Sequence, residues 1–375
     1  MKPKLKDIVR TVVHYDRDRF VCQVGAAVLN NGELAVIYNE TRKREHIDFD
    51  SIALIRSHDG GVTWDTGGRQ TIWPCTYHFG SDTPSITQLR DGRLIVNFFQ
   101  WAFVNQKGIY TDYGPQVRPG STRTPDSVGL IVSDDNGASW SAGYRANIAP
   151  MRWAQPIDGV VELPDGTLLM ACHGHLFSRA WMEIDNLHER CRAFILRSDN
   201  RGLDWEYYST IAYDPATIIS FDETSLVRCA DGTLIAMIRT MHGVRNRHQH
   251  LWISYSEDNG ESWSTPKPTN IWGYPADLVA MPDGTVLCTY GYRREPYGIR
   301  GCLSKDGRTW DANDEFIISS GGQSTPEKVG ELYYHIGYPS TVYLPDGSLC
   351  TIFHEWSQEE PHVQFVASVK YRLSS

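Results

Sequence analysis

No run of eighteen consecutive apolar residues occurs in this 375-residue chain, so no helix in it is expected to span a membrane. None of its eight cysteines falls in a Cys-x-x-Cys pair, which argues against a cysteine-held zinc and for reduced core thiols. Positive charge is in deficit: 36 Lys and Arg stand against 45 Asp and Glu, for a formal net charge of -9. That balance opposes a nucleic-acid partner, whose phosphates need a basic stripe. No glycine-rich phosphate loop leads into a helix, so no nucleotide, flavin or other cofactor is expected. The amino end, Met1-Lys2-Pro3-Lys4-Leu5-Lys6-Asp7, has no apolar segment of a secretory leader; the expectation is a cytoplasmic protein. Long helical periodicity is absent too.

What is abundant is turn chemistry. The chain holds 32 Gly and 12 Trp. Six times, a β-type run leads through Asp-Gly or Asn-Gly into a second β-type run, at Asn31, Asp91, Asp165, Asp231, Asp283 and Asp346. Such dipeptides supply the positive φ that a tight hairpin demands. The spacing between turns is 52 to 74 residues. A second pattern is interleaved. Ser-x-Asp-x-Gly-x-x-Trp occurs at Ser57–Trp64, Ser133–Trp140 and Ser256–Trp263; Ser198–Trp205 carries Asn200 in place of Asp, and Ser304–Trp310 is one residue shorter. The acidic or amide side chain accepts backbone N–H groups and the Trp folds back onto the sheet.

Each unit thus reads as four antiparallel strands of about sixty residues, the size of a propeller blade. Six units use the whole chain. The expectation is an all-β, six-bladed β-propeller over residues 1–375, a single domain. The last unit lacks a fourth strand, which the N-terminal segment Ile8–His14 is expected to supply.

In a blade, strand one begins and strand two ends at the same rim of the central channel. Strand-one starts contribute Gln23, Asp82, Gln155, Asp222, Glu223, Asp277 and Tyr338. Strand-two ends contribute Glu40, Arg42, Gln100, His173, His175, Arg239, His242, Arg293, Arg294, His354 and Glu355. This rim is the expected site. His173-Gly174-His175 and His248-Gln249-His250 place two imidazoles on one strand face, but no third ligand is spaced for a metal, and none is expected.

The Ser-x-Asp-x-Gly-x-x-Trp box is similar to the Asp-box of the sialidase superfamily, a family of six-bladed propellers. The resemblance covers nearly the whole chain and implies roles for several rim residues. Glu223 matches a Glu that polarises a tyrosine, Arg239 an Arg that binds the substrate carboxylate, and Tyr338 the nucleophile. A phenol made nucleophilic by a carboxylate avoids sending a bare anion at a carbon that carries a carboxylate. Arg42 matches an Arg beside the glycan, and Arg293 or Arg294 a third Arg. Two features depart. The family's Arg-Ile-Pro motif is replaced by Cys22-Gln23-Val24-Gly25, and His46 stands where the acid/base Asp is usual, flanked by Glu45 and Asp48.

The resemblance therefore implies removal of a terminal anionic sugar from an oligosaccharide or glycoconjugate by Tyr338, Glu223 and His46. Arg42, Arg239, Arg293, Arg294, Asp82, Gln155 and His173 would hold the sugar. A uronate lyase and a non-catalytic glycan-binding propeller are the alternatives.

Overall fold

All six Asp-Gly and Asn-Gly turns lie between two paired strands, and their glycines hold φ between 79° and 93°. The computed structural model describes residues 3–41, 51–76, 79–105, 121–176, 190–242, 247–248, 250–321, 336–360 and 363–374. Six antiparallel sheets form six blades, each with its first strand inward and its fourth outward. Blade 1 comprises Phe20–Val28, Leu34–Thr41, Ser51–Ser57 and Gln70–Trp73. Blade 2 runs from Phe79–Gln88 to Tyr144–Arg145 and blade 3 from Met151–Pro156 to Glu206–Ala212. Blade 4 runs from Ile219–Arg228 to Lys267–Pro268 and blade 5 from Ala276–Ala280 to Phe316–Ser320. Blade 6 takes Gly337–Tyr343, Leu349–Trp356 and Gln364–Ser374 from the carboxyl end and Lys4–His14 from the amino end. The expected closure is thus present, and its strand begins four residues earlier than the sequence pattern indicated.

The core is distributed. Six apolar clusters lie between neighbouring blades rather than at one centre. Ile37 and Leu54 of blade 1 meet Ile86, Val96 and Phe98 of blade 2. On the other side, Val36 and Ile55 of blade 1 meet Cys350, Ile352 and Val366 of blade 6. Strands buried on both faces read as continuous apolar runs, which is why each second strand is so rich in Leu, Ile and Val. All eight cysteines are free; seven are buried and Cys75 is half-buried.

The boxes fold as their chemistry dictates. Ser57 Oγ accepts the Gly61 N–H at 2.8 Å, and Asp59 Oδ1 accepts the N–H groups of Val62 and Thr63 at 3.1 and 2.8 Å. Trp205 Nε1 donates to the Gly202 carbonyl at 2.9 Å, and Trp310 repeats this with Gly307 at 3.0 Å. A Cβ on Gly202 would stand 2.8 Å from Ile95 Cδ1 of the preceding blade, so only glycine permits that approach.

Around the channel, one interaction recurs from blade to blade. A side chain on or just beyond an inner strand accepts a backbone N–H from the corresponding segment of the next blade. Thr87 Oγ1 receives Val160 (3.0 Å), Asp158 Oδ2 receives Leu226 (3.2 Å), Ser225 Oγ receives Leu278 (3.0 Å), Asp277 Oδ2 receives Thr341 (2.8 Å) and Ser340 Oγ receives Ala26 (3.0 Å). Between blades 1 and 2 the backbones touch directly: a Cβ on Gly25 would lie 2.8 Å from Ser85 Cα. Asp277 therefore sits within this ring, not at the rim where the sequence reading put it. Burial raises the pKa of both Asp158 and Asp277, and the Asp158 charge raises that of Asp277 further.

Trp205 is buried against blades 2 and 3. Trp205→Ala is expected to lower unfolding free energy by about 3–5 kcal/mol in denaturant titration, since a deleted core indole leaves a cavity. A loss below about 1 kcal/mol would show that the box tryptophan is peripheral to stability.

Candidate active site

Strand geometry at the rim is irregular in a repeated way. The inner strands of blades 1, 2 and 6 carry a bulge at their mouths, between Cys22 and Val24, Asp82 and Ser85, and Gly337 and Ser340. At each bulge a residue other than glycine takes positive φ: Gln23, Thr83 and Tyr338, all at 46°. An aromatic residue pays about 1–3 kcal/mol for that conformation. Bulges re-aim side chains, and here the phenol of Tyr338 is turned across the channel. Blade 4 has its own bulge, between Phe221 and Thr224, so that Asp222 and Glu223 together oppose the single residue Arg239.

These two distortions bring blades 4 and 6 into contact. Tyr338 Oη donates to Glu223 Oε1 at 2.6 Å. Arg239 Nη1 forms an ion pair with Glu223 Oε2. Burial alone would raise the Glu223 pKa, but the Arg239 charge and the hydrogen bonds from Tyr338 and Arg239 outweigh it and hold the group at about 2. The Tyr338 phenol moves the other way, pushed above its ordinary value by burial and by the Glu223 charge, against the pull of Arg239 and Arg293. At rest the proton belongs to tyrosine and the negative charge to glutamate.

An aromatic and cationic wall backs this pair. The Arg239 guanidinium lies 4.4 Å from the Tyr274 ring centroid and Arg293 lies 4.8 Å from it on blade 5. Arg293 also lies 5.5 Å from the Tyr338 ring. Arg293 Nε donates to the Ile336 carbonyl at 3.0 Å, while its buried Nη2 has no partner among the described residues. Arg294 stacks instead on Trp272, 3.4 Å from the ring centroid. Of the two arginines, Arg293 is the one beside Tyr338. His354 stacks under Tyr338 at 5.7 Å, and its Nδ1 accepts the Gln23 N–H at 3.0 Å. That bond fixes the neutral imidazole's proton on Nε2.

The other expected site residues divide. Asp82 is buried, receiving the Thr83 N–H at 2.9 Å and Trp101 Nε1 at 3.4 Å. Gln155 donates to Thr83 Oγ1 at 3.4 Å, and His173 is buried with its ring edge against Trp153 at 5.5 Å. Arg19 and Arg69 pair with Glu40 through Oε1, and Arg10 pairs with Glu355. Gln23 is equally committed, with Oε1 accepting Asn39 Nδ2 at 2.8 Å and the Thr83 N–H at 3.3 Å. Arg42, Glu45, His46 and Asp48 lie outside the described residues. Among those described, no group of three or more His, Cys, Asp or Glu is arranged to hold a metal ion.

Tyr274 was missed from sequence, although a signal was present. Gly273-Tyr274-Pro275 opens blade 5 as Gly337-Tyr338-Pro339 opens blade 6, and both glycines hold positive φ, at 159° and 135°.

Residues 101–351 match the family model described as BNR repeat-like domain. A protein of unknown function from Dyadobacter fermentans DSM 18053 superposes with a TM-score of 0.81 over 99% of each chain, at 21% identity. The NanB sialidase from Streptococcus pneumoniae gives a TM-score of 0.67 at 13% identity, over 96% of this chain and 70% of that one. The intramolecular trans-sialidase from Ruminococcus gnavus gives 0.65 at 12% identity over 96% of each. At such identities the likeness is one of fold, a six-bladed propeller similar to those of the two sialidases. With two thirds of its length matched, the chain belongs to the BNR repeat-like domain family.

Proposed function

We propose that the protein is an exo-glycoside hydrolase that removes a terminal anionic sugar, of sialic or uronic acid type, from an oligosaccharide or glycoconjugate. The observation that carries this reading is the Tyr338–Glu223–Arg239 chain, a hydrogen-bonded phenol and carboxylate with a cation on the far oxygen. Tyr338 Oη attacks the anomeric carbon as the glycosidic bond breaks, and the phenolic proton passes to Glu223. The leaving oxygen takes a proton from the acid/base group, assigned to His46 or its neighbours Glu45 and Asp48. Water then cleaves the tyrosyl glycoside with the same group acting as base, so configuration is retained. The Nη2 of Arg293, without a partner among the described residues, is the receptor for the sugar carboxylate, since Arg239 already serves Glu223. Gln23 stands in place of a first arginine, so that position adds no cation to the receptor.

Elimination is the second reading, because His354 stacks on Tyr338 in an arrangement that also suits a tyrosine–histidine base and acid pair. Product mass separates the two. Hydrolysis adds one water across the cleaved bond, and elimination adds none.

Tyr338→Phe and Glu223→Gln are each expected to lower kcat on an aryl glycoside of the acid sugar by at least about 1,000-fold, with thermal unfolding still cooperative. Turnover within tenfold of the parent in both would remove the assignment. Arg293→Gln is expected to raise KM roughly 10- to 100-fold, the value of a charge-assisted hydrogen bond.

The pH profile offers a separate check. Glu223 titrates at about 2 and Tyr338 above its ordinary value of 10.0, so neither gives kcat/KM a limb between roughly pH 3 and 9. A general acid is active while protonated, so activity falls as pH rises through its pKa, near 6.5 if the group is His46. That limb should vanish in His46→Gln. A limb in this window kept by His46→Gln, Glu45→Gln and Asp48→Asn would contradict the acid/base assignment.

A further inference from the structure

Two carboxyls face each other's surroundings on the propeller axis. Asp158 lies just beyond Met151–Pro156 of blade 3, and Asp277 lies on Ala276–Ala280 of blade 5. Both line the same channel segment, a space of about 270 Å³. Both also line a void of about 10 Å³ that reaches Tyr338, room for about one water. Among the described residues, no Lys, Arg or His lines either space.

The two are bonded unequally. Asp158 accepts three donors: the Gly159 N–H at 2.7 Å on Oδ1, and the Ser225 hydroxyl at 2.7 Å and the Leu226 N–H at 3.2 Å on Oδ2. Asp277, 8% exposed, accepts on Oδ2 alone, from the Thr341 N–H at 2.8 Å and the Thr289 hydroxyl at 3.3 Å. Its Oδ1 accepts nothing among the described residues. Donors on a carboxylate favour the charged form, so Asp158 keeps the charge. An oxygen with no donor is where a proton sits at least cost.

The neighbouring elements bring no charge that would offset a second anion. Cys288 stands on the paired strand of blade 5, and Tyr338 and Tyr371 come from blade 6; burial raises the pKa of all three, so they are neutral. Towards the mouth, blade 2 adds Asp82, and blade 4 adds Asp222 and the Glu223–Arg239 ion pair. Burial and the Asp158 charge therefore push the Asp277 carboxyl well above its ordinary range.

Both groups are joints of the ring. Asp158 ties blade 3 to blade 4 through Leu226, and Asp277 ties blade 5 to blade 6 through Thr341, three residues beyond Tyr338. We propose that this axial pair is a pH-sensitive joint, closing the ring with one negative charge on Asp158 and a proton on Asp277 Oδ1. Loss of that proton sets two like charges in one channel and loosens the contacts that hold blades 4 and 6. The device acts on the stability of the propeller and is independent of the glycosidase reading. A carboxyl whose pKa folding raises contributes its stability in full below the ordinary value of 3.8. That contribution is lost as pH climbs through the raised value.

The test compares thermal unfolding of the full chain with that of Asp277→Asn, a neutral side chain of the same shape, from about pH 4 to about pH 8 in EDTA. The variant's Tm minus the parent's should increase by at least about 3 °C across that range. Asp158→Asn turns an amide N–H₂ toward groups that donate, so it should lower Tm at every pH. A variant-minus-parent difference for Asp277→Asn that stays flat or shrinks as pH rises overturns the proposal. So does calcium chloride raising the parent's Tm while leaving Asp277→Asn unmoved, since the pair would then be a cation site. If Asp277→Asn fails to fold, infrared spectroscopy of the parent decides at about pH 6, where ordinary carboxyls are ionised. The C=O stretch of a protonated carboxyl should be present in the folded protein and vanish on unfolding. Its absence from the folded protein overturns the joint.

Discussion

A carboxylate buried at the mouth of a channel persists there only with a cation beside one oxygen and a donor on the other. Glu223 has both, in Arg239 and Tyr338, and the rest of the rim is arranged around that requirement. Arg239 comes from the neighbouring strand of the same blade, so that half is local. Tyr338 comes from the other end of the chain, 115 residues away, and reaches Glu223 only because blade 6 is closed against blade 1. The Tyr338 donor is also a far weaker acid than Glu223. The site therefore stores a proton on the phenol and a base next to it.

Closure in turn rests on small, repeated contacts. Five side chains on or just beyond the inner strands each accept one backbone N–H from the next blade, and a glycine contact completes the circle. Six apolar clusters between blades supply most of the stabilisation, because each sheet buries both faces. The N-terminal strand pairs along Gln364–Ser374 and places Arg10 on Glu355, so the amino end of the chain also neutralises a rim carboxylate beside blade 6. Positive φ at Tyr338 is tolerated within such a frame, since the surrounding contacts over-determine it.

The fold was legible because its signals are local. An Asp-Gly turn and a Ser-x-Asp-x-Gly-x-x-Trp box each declare their geometry within eight residues, and six repeats leave one architecture. The site was legible where strand topology fixes convergence: Glu223, Arg239 and Tyr338 meet as the rim argument and the family resemblance both implied, and Arg293 joins them. It was not legible where a partner comes from outside the repeat. Glu40 looked free until Arg19 and Arg69 were placed beside it, and Glu355 until Arg10 was. Asp277 looked like a rim group because its strand begins there; its bond to the Thr341 N–H draws it into the channel. Tyr274 was overlooked, although the tripeptide that holds it also opens blade 6.

The central claim is that Tyr338 is the atom donor to the anomeric carbon. It is tested most directly by covalent trapping with an acid-sugar fluoride that bears a second fluorine beside the anomeric centre, which slows breakdown of a glycosyl-enzyme more than its formation. Intact mass should rise by one fluorinated glycosyl residue, and peptide mapping should put that mass on Tyr338. No adduct under conditions where the unfluorinated glycoside turns over, or an adduct on a different side chain, would contradict the account.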